Sequence, residues 1–341
     1  MGTRGEESVS LKGRTSKSVY SCLVTRIAVT GGAGFVGTNL VIALKNAGHD
    51  VKVVDDFSSG LLSNVEHLDC EISNTSICGK EELEKALSGC DYIFHLAARG
   101  SVPRSIRNPD ATFDVNVVGT LNVLRYAKNA KIPIVFSSSS SVYGSNLQLP
   151  KNEYMWMAPI TPYAASKLSG EALVESYSRS FDFPAFSFRF FNIFGPWQRP
   201  DHDYAAVIPK WIWKAMNKQV IEIFGDGEHT RDFTYIDSVT SALLEVKKRN
   251  LVSPHPVNLA FGSRVSLNSL ATELSKYFPD LRIEYRPPRQ GDVRDSQNDP
   301  TLLNQTVPGI DVTSFEDGLR KTIQWFAENG EKIIGAPSSK D

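Results

Sequence analysis

The run Thr30-Gly31-Gly32-Ala33-Gly34-Phe35-Val36-Gly37 constrains the fold of this chain more than any other segment. It joins a short apolar stretch, 26–30, to a helical pattern with Leu40, Val41 and Leu44 on one face and a stop at Gly48. Glycines at i, i+3 and i+6 permit a tight turn and bring backbone N–H groups against a pyrophosphate at the helix N-terminus. Gly31, Gly34, Phe35, Val36 and Gly37 are the expected contacts. Asp55 and Asp56 end the next apolar run, 51–54. A carboxylate there accepts hydrogen bonds from the adenosine ribose hydroxyls and repels a 2′-phosphate. No arginine nearby offers itself to such a phosphate, so the pattern selects NAD over NADP.

Strand and helix patterns alternate from there on. Residues 92–96, 134–137 and 186–190 read as buried strands, and 111–129 and 162–180 as helices. Repeated units of this kind imply an α/β fold, a Rossmann-like doubly wound parallel sheet covered on both faces. After Asn192 prolines and tryptophans become frequent (Pro196, Trp197, Pro200, Pro209, Trp211, Trp213). The expected organisation is a dinucleotide-binding domain over 25–192, with 230–262 returning to its sheet. A smaller C-terminal substrate lobe takes 193–229 and 263–334. Residues 1–24 are polar and serine-rich, carry Glu6 and Glu7, and lack the apolar core of a secretory signal. They read as a disordered extension.

Composition narrows the classes of function. The chain is 41% hydrophobic and 22% charged, with a net charge of −1, which fits a globular protein and offers no basic field to nucleic acid or an anionic membrane. No run of about 18 apolar residues is present, so no membrane span is expected. The four cysteines, Cys22, Cys70, Cys78 and Cys90, form neither C-x-x-C pairs nor metal-ligand spacings. They read as free thiols of a cytoplasmic protein without a bound metal.

A second constellation carries chemistry. Tyr163 and Lys167 lie four apart on the helix opened by Pro162, so they share a face. Upstream, Ser137 to Ser141 end an apolar strand, just before Val142-Tyr143-Gly144. That places hydroxyls at the carboxyl edge of the sheet, where ligands of such folds bind.

TGGAGFVG, the strand ending in Asp55, HLAA (95–98), NVVGT (116–120), SSSSSVYG, PYAASK and RFFNIFGP together resemble the extended short-chain dehydrogenase/reductase family, over residues 26 to about 330. GSVPRS, AAVIPKW, GDGEHTRDFTYID and RQGDVRDS are similar to bacterial UDP-N-acetylglucosamine 4-epimerases within it. The resemblance implies inversion of carbon 4 of a UDP-hexose through a 4-keto sugar, with tightly bound NAD. It implies Tyr163 as base, Lys167 as its cationic neighbour and holder of the nicotinamide ribose, and Ser139 as the hydroxyl on the sugar oxygen. Around the cofactor it implies Ser59, Gly60, Leu96, Ala97, Ala98, Asn116 and Phe190. Around the substrate it implies Gly100, Ser101, Ser140, Ser141, Asn192, Ala206 and Val207, with Arg231 and Arg289 on the diphosphate and Asp292 on the uridine ribose. It places Ser296 where a bulky aromatic narrows the sugar pocket, so a serine leaves room for an N-acetyl group. A homodimer through helices 111–129 and 162–180 is implied too, with Val117, Leu121, Leu124, Leu168 and Leu173 serving either that face or the sheet.

Two departures are informative. Dehydratases of the family resemble T-D-E-V-Y-G, whereas this chain has Ser139, Ser140 and Ser141. A hydroxyl does not replace a carboxylic acid near neutral pH, so dehydration is disfavoured. Glu71 stands where relatives often place an Asp against the adenine. Arg99, in HLAARGS, leaves a second activity open: a UDP-glucuronate 4-epimerase or decarboxylase, with Arg99 pairing with the sugar carboxylate. A non-catalytic NAD-binding scaffold is a third reading, and the presence of both Tyr163 and Lys167 speaks against it.

Overall fold

The computed structural model describes residues 25–201, 205–253, 255–288 and 295–334. The expected extension, 1–24, lies outside them. Six strands, β1 (Arg26–Thr30), β2 (Asp50–Asp55), β3 (Glu71–Asn74), β4 (Tyr92–His95), β5 (Ile134–Ser139) and β6 (Ala185–Phe190), form one sheet with a seventh, Val257–Leu259. The order is Val257–Leu259, β6, β5, β4, β1, β2, β3, with every neighbouring pair parallel. The chain reverses its direction of travel across the sheet at β1, between β2 and β4. Ligands of open parallel sheets bind at the carboxyl edge of such a point.

Alternation along the strands supplies both faces. Ile27, Val29, Val51, Val53, Phe186 and Phe188 pack with Leu40, Val41 and Leu44 of the Phe35–Asn46 helix and with Val239, Leu243 and Val246 of Ile236–Arg249. Ala28, Val54, Ile93 and Phe136 face the other way, onto Leu83 and Leu87 and onto Val123, Leu124, Ala127 and Val174. Leu124 is fully buried there. It therefore serves the sheet, not an outer face.

The helix expected over 111–129 is present as one continuous run over 109–130, with a π-helical turn at Asp114–Gly119 that the sequence did not reveal. Side-chain periodicity does not show a single extra residue per turn. One expectation is corrected: of the 231–262 segment, only Val257–Leu259 joins the main sheet. Phe233–Tyr235 pairs in parallel with Asn192–Phe194 instead. The remaining small strands form two further pairs, Ile221–Phe224 with Ile283–Arg286 and Thr230–Arg231 with Val265–Ser266. Trp211, Ile223, Leu270, Leu303, Leu319 and Phe326 belong to the same buried cluster as the first face of the sheet.

Cys70, Cys78 and Cys90 are free thiols. Among the described residues no helix is long and apolar enough to cross a membrane.

Candidate active site

The glycine turn is built for close approach. Gly31 has φ +71°, and a Cβ on it would lie 2.7 Å from the Ala97 nitrogen. A Cβ on Gly37 would lie 2.1 Å from the Gly31 carbonyl oxygen. These two glycines therefore hold β1, its helix and the Leu96–Ala98 segment together. At Gly34 the nearest obstacle is the Gly31 oxygen at 3.3 Å. Gly34 also precedes the Phe35–Asn46 helix, and no side chain caps its first N–H groups. Free N–H groups at a helix start suit a pyrophosphate. Phe35 and Val36 form the first turn, half-buried.

Asp55 ends β2 and is buried. Its Oδ2 accepts from Ala33 N at 3.0 Å and its Oδ1 from Phe57 N at 2.9 Å. Burial holds this carboxyl above its usual range, against both backbone bonds. The carboxylate thus braces the glycine turn, a role that its sequence position did not reveal. Asp56 and Ser59 are exposed beside it, and Gly60 packs under Ala33. Glu71 opens β3, exposed, in ion pairs with Lys52 and Arg26.

His95 is a residue for which the sequence offered a motif and no role. It is fully buried between Thr30 and Thr120. The Thr120 hydroxyl donates to the Asn116 carbonyl at 2.7 Å, so it accepts from His95 Nε2 at 2.9 Å. Nδ1 then accepts from Thr30 Oγ1 at 2.7 Å. Burial, and Lys167 nearby, pull this imidazole down to about 3, so it is neutral. The chain of bonds fixes one tautomer and ties β1, β4 and the helix after Asn116 together. Asn116 sits in the π-helical turn. Its Oδ1 accepts from Arg99 N at 2.8 Å and its Nδ2 donates to Ser166 Oγ at 2.9 Å.

Tyr163 and Lys167 come from the first turns of the Pro162–Phe181 helix, capped by Thr161, whose side chain accepts from Ala164 N. Lys167 Nζ donates to the Ser137 carbonyl at 2.8 Å and lies 5.2 Å from the Phe136 ring centre. Burial pulls its ammonium down to about 8, with Glu171 opposing. Ser139 is the last residue of β5. Burial pushes the Tyr163 phenol up from 10, and the neighbouring Ser139 hydroxyl pulls it down. Ser141 presents both Oγ, at 2.9 Å, and its backbone N, at 3.2 Å, to Ser139 Oγ. A hydroxyl has one proton and two acceptor sites. With both acceptor sites filled by Ser141, the Ser139 proton is left free to be donated. Ser140 begins the short 3-10 turn Ser140–Tyr143.

Deeper, Arg189 of β6 donates to Glu171 through Nε at 2.9 Å and Nη2 at 2.8 Å, and through Nη1 to Tyr143 at 3.0 Å. Phe190 ends β6, half-buried, and stacks on Phe188.

The remaining expected contacts lie along the lobe. Asn192 Nδ2 donates to the Asp232 carbonyl at 3.3 Å. Thr230 bridges to Asp295, and Ser296 N donates to the Thr230 carbonyl at 3.1 Å, which sets Ser296 beside Arg231. Ala206 precedes the Val207–Met216 helix, exposed, with Val207 half-buried. Ser101 caps the Val102–Arg107 helix by accepting from Arg104 N at 3.3 Å. A Cβ on Gly100 would meet nothing within 4 Å. Arg289 and Asp292 lie outside the described residues.

Comparison with known proteins agrees with this arrangement. The NAD dependent epimerase/dehydratase family matches residues 27–260. UDP-glucose 4-epimerase of Mycolicibacterium smegmatis is 32% identical over 319 residues, covering 90% of this chain and 100% of that protein. UDP-glucuronic acid decarboxylase 1 of Danio rerio is 32% identical over 313 residues, covering 90% of this chain and 73% of that one. Among solved structures, UDP-N-acetylglucosamine 4-epimerase from Methanobrevibacter ruminantium M1, in complex with UDP-N-acetylmuramic acid, is 35% identical with a TM-score of 0.85, covering 90% and 99% of the two chains. The chain belongs to the NAD dependent epimerase/dehydratase family, and NAD is its cofactor.

Proposed function

We propose that this protein is a UDP-hexose 4-epimerase, interconverting UDP-N-acetylglucosamine with UDP-N-acetylgalactosamine and also UDP-glucose with UDP-galactose. The observation that carries the reading is the meeting of Tyr163 and Lys167, one turn apart on one helix, with the serines that end β5, where Lys167 Nζ donates to the Ser137 carbonyl at 2.8 Å. Tyr163 takes the proton of the sugar 4-hydroxyl and later gives it back. Ser139 steadies the oxygen as its charge changes. Lys167 supplies the positive charge that favours a phenolate. NAD, when bound, supplies the hydride acceptor that later becomes the donor, so the reaction needs no other redox partner. Gly31, Gly34, Phe35, Val36 and Gly37 hold its pyrophosphate and Asp55 its adenosine ribose. Lys167, with one of its three donors on Ser137, has two for the nicotinamide ribose. Arg231, Arg289 and Asn192 grip the diphosphate and Asp292 the uridine ribose, which leaves the sugar free to turn over.

Dehydration lacks its acid. Positions 140 and 141 are serines, and the nearby carboxylate, Glu171, is buried in its pair with Arg189. The sugar pocket supports acceptance of an N-acetyl group through open space at Gly100 and a small side chain at Ser296. We further infer a homodimer through the helices at 102–130 and 162–181, where Ile106 (63% exposed), Phe113 (38%) and Val118 (47%) stand in solvent.

The test is incubation with a panel of UDP-sugars and separation of the epimers. Tyr163→Phe should abolish turnover and leave UDP-sugar binding nearly intact. Wild-type turnover by that variant would refute the mechanism.

One observation favours a second reading. Arg99 Nε is buried without a hydrogen-bond partner among the described residues, and an unpaired guanidinium suits a sugar carboxylate. Including UDP-glucuronate in the panel decides it: epimerised or decarboxylated uronate as the main product would replace the first reading.

A further inference from the structure

The Pro162–Phe181 helix carries a third polar side chain on the stripe of Tyr163 and Lys167. Residues four apart share a helix face, so Glu171 follows Lys167 as Lys167 follows Tyr163. The Glu171 side chain is 4% exposed and its partner Arg189 5%. Its Oε1 also accepts from the Ser138 hydroxyl at 2.5 Å. A buried ion pair is weak support for stability, because desolvation offsets much of the attraction and apolar residues of similar shape often serve as well. Its position suggests a different use. Ser138 stands between Ser137, whose carbonyl accepts from Lys167, and Ser139, whose hydroxyl pulls the Tyr163 phenol down. The pair therefore joins helix, β5 and β6 just behind the dyad.

We propose that the Glu171–Arg189 pair is a positioning device for the Tyr163–Lys167 dyad, clamping Ser138, and with it the two flanking serines, against the helix that carries the dyad. This rests on the reading of Tyr163 and Lys167 given above. Glu171 touches neither substrate nor cofactor and acts through its neighbours.

The clamp has an electrostatic side. Around Lys167, β4 contributes His95, held neutral by burial. From β5 come the Ser137 carbonyl and the Phe136 ring. From β6 comes Arg189, whose charge Glu171 balances, with Tyr143 and Glu153 of the segment after β5 acting on Arg189 in turn. From its own helix come Tyr163 and Glu171. Glu171 is the carboxylate that opposes the loss of the Lys167 proton.

The experiment has two arms. Glu171→Gln keeps the shape and removes the charge. Its alkaline limb of kcat/KM should move down by about 1 pH unit. The Lys167 titration, read by NMR on protein with 13C-labelled lysine and assigned with Lys167→Arg, should move with it. Should Glu171→Gln fail to fold, the Ser138 arm decides alone, and the double variant Glu171→Gln/Arg189→Met, which removes the pair without leaving either partner unpaired, should show the same loss of kcat as Ser138→Ala. Ser138→Ala keeps the ion pair and cuts the clamp. It should lower kcat by about tenfold to a hundredfold at unchanged KM and NAD content, and Ser138→Thr, which retains the hydroxyl, should restore it. Wild-type kcat in Ser138→Ala, or an unmoved Lys167 titration in Glu171→Gln, overturns the proposal. Tyr163→Phe run alongside separates the two levels. If it still turns over, the dyad reading fails and takes the clamp with it. If it is inactive while the Glu171 and Ser138 variants behave as wild type, the clamp alone is wrong.

Discussion

Lys167 joins two demands that pull against each other. Its ammonium must persist to favour the Tyr163 phenolate, yet burial brings it down to about 8 from 10.5. Activity should therefore fall as pH rises through about 8, which a kcat/KM profile will show. Stability should go the other way. Between about 8 and 10.5 the unfolded chain holds this proton and the folded one has released it, so this group adds stability as pH rises there. Thermal unfolding of wild type against Lys167→Met across that window checks the sign: the difference between them should change in favour of wild type with pH. The proposed function gives Ser296 a part in substrate choice, at the same scale. Ser296→Tyr should cut turnover of the N-acetylated sugars more than a hundredfold beyond its effect on UDP-glucose, as a clash of ~3 kcal/mol implies. Equal losses on both pairs would remove Ser296 as the gate.

Among the elements, the glycine turn was legible because its constraint is local. Only glycine tolerates a neighbouring oxygen at 2.1 Å from where a Cβ would stand, as at Gly37. Gly37→Ala should lower stability by about 2–3 kcal/mol and weaken NAD retention, read as a fall in Tm and in the NAD released on denaturation. Tyr163 and Lys167 were legible for a similar reason, since one helix sets their spacing. Partners brought from other strands were not. His95 meets Thr30 across 65 residues of sequence, and Arg189 meets Glu171 across 18. No periodicity within either segment encodes the other. The same limit explains Phe233–Tyr235, whose apolar run fits any sheet and which pairs with Asn192–Phe194 only because the chain turns out of β6 at Phe191.

Taken whole, the molecule sets its glycine turn at the reversal point of the sheet and packs Trp211, Ile223, Leu270, Leu303, Leu319 and Phe326 into the same core as the sheet. The outer helices add a relation between assembly and site. Phe113 and Val118 are 38% and 47% exposed, while Asn116 between them is 2% exposed and bonded to Arg99 and Ser166. Val118→Glu should yield a monomer by light scattering at micromolar concentration if these helices pair between protomers, with the fold retained by circular dichroism. An unchanged dimer would place the interface elsewhere. The π-helical turn at Asp114–Gly119 sets the phase between these outer side chains and Asn116. Each residue of a helix turns the next by about 100°, so loss of one residue here would swing the outer side chains out of phase with Asn116. Single substitutions can be absorbed at this place in the chain, whereas a change of length cannot, and family members that diverge freely elsewhere should keep the count of residues between Pro109 and Thr120.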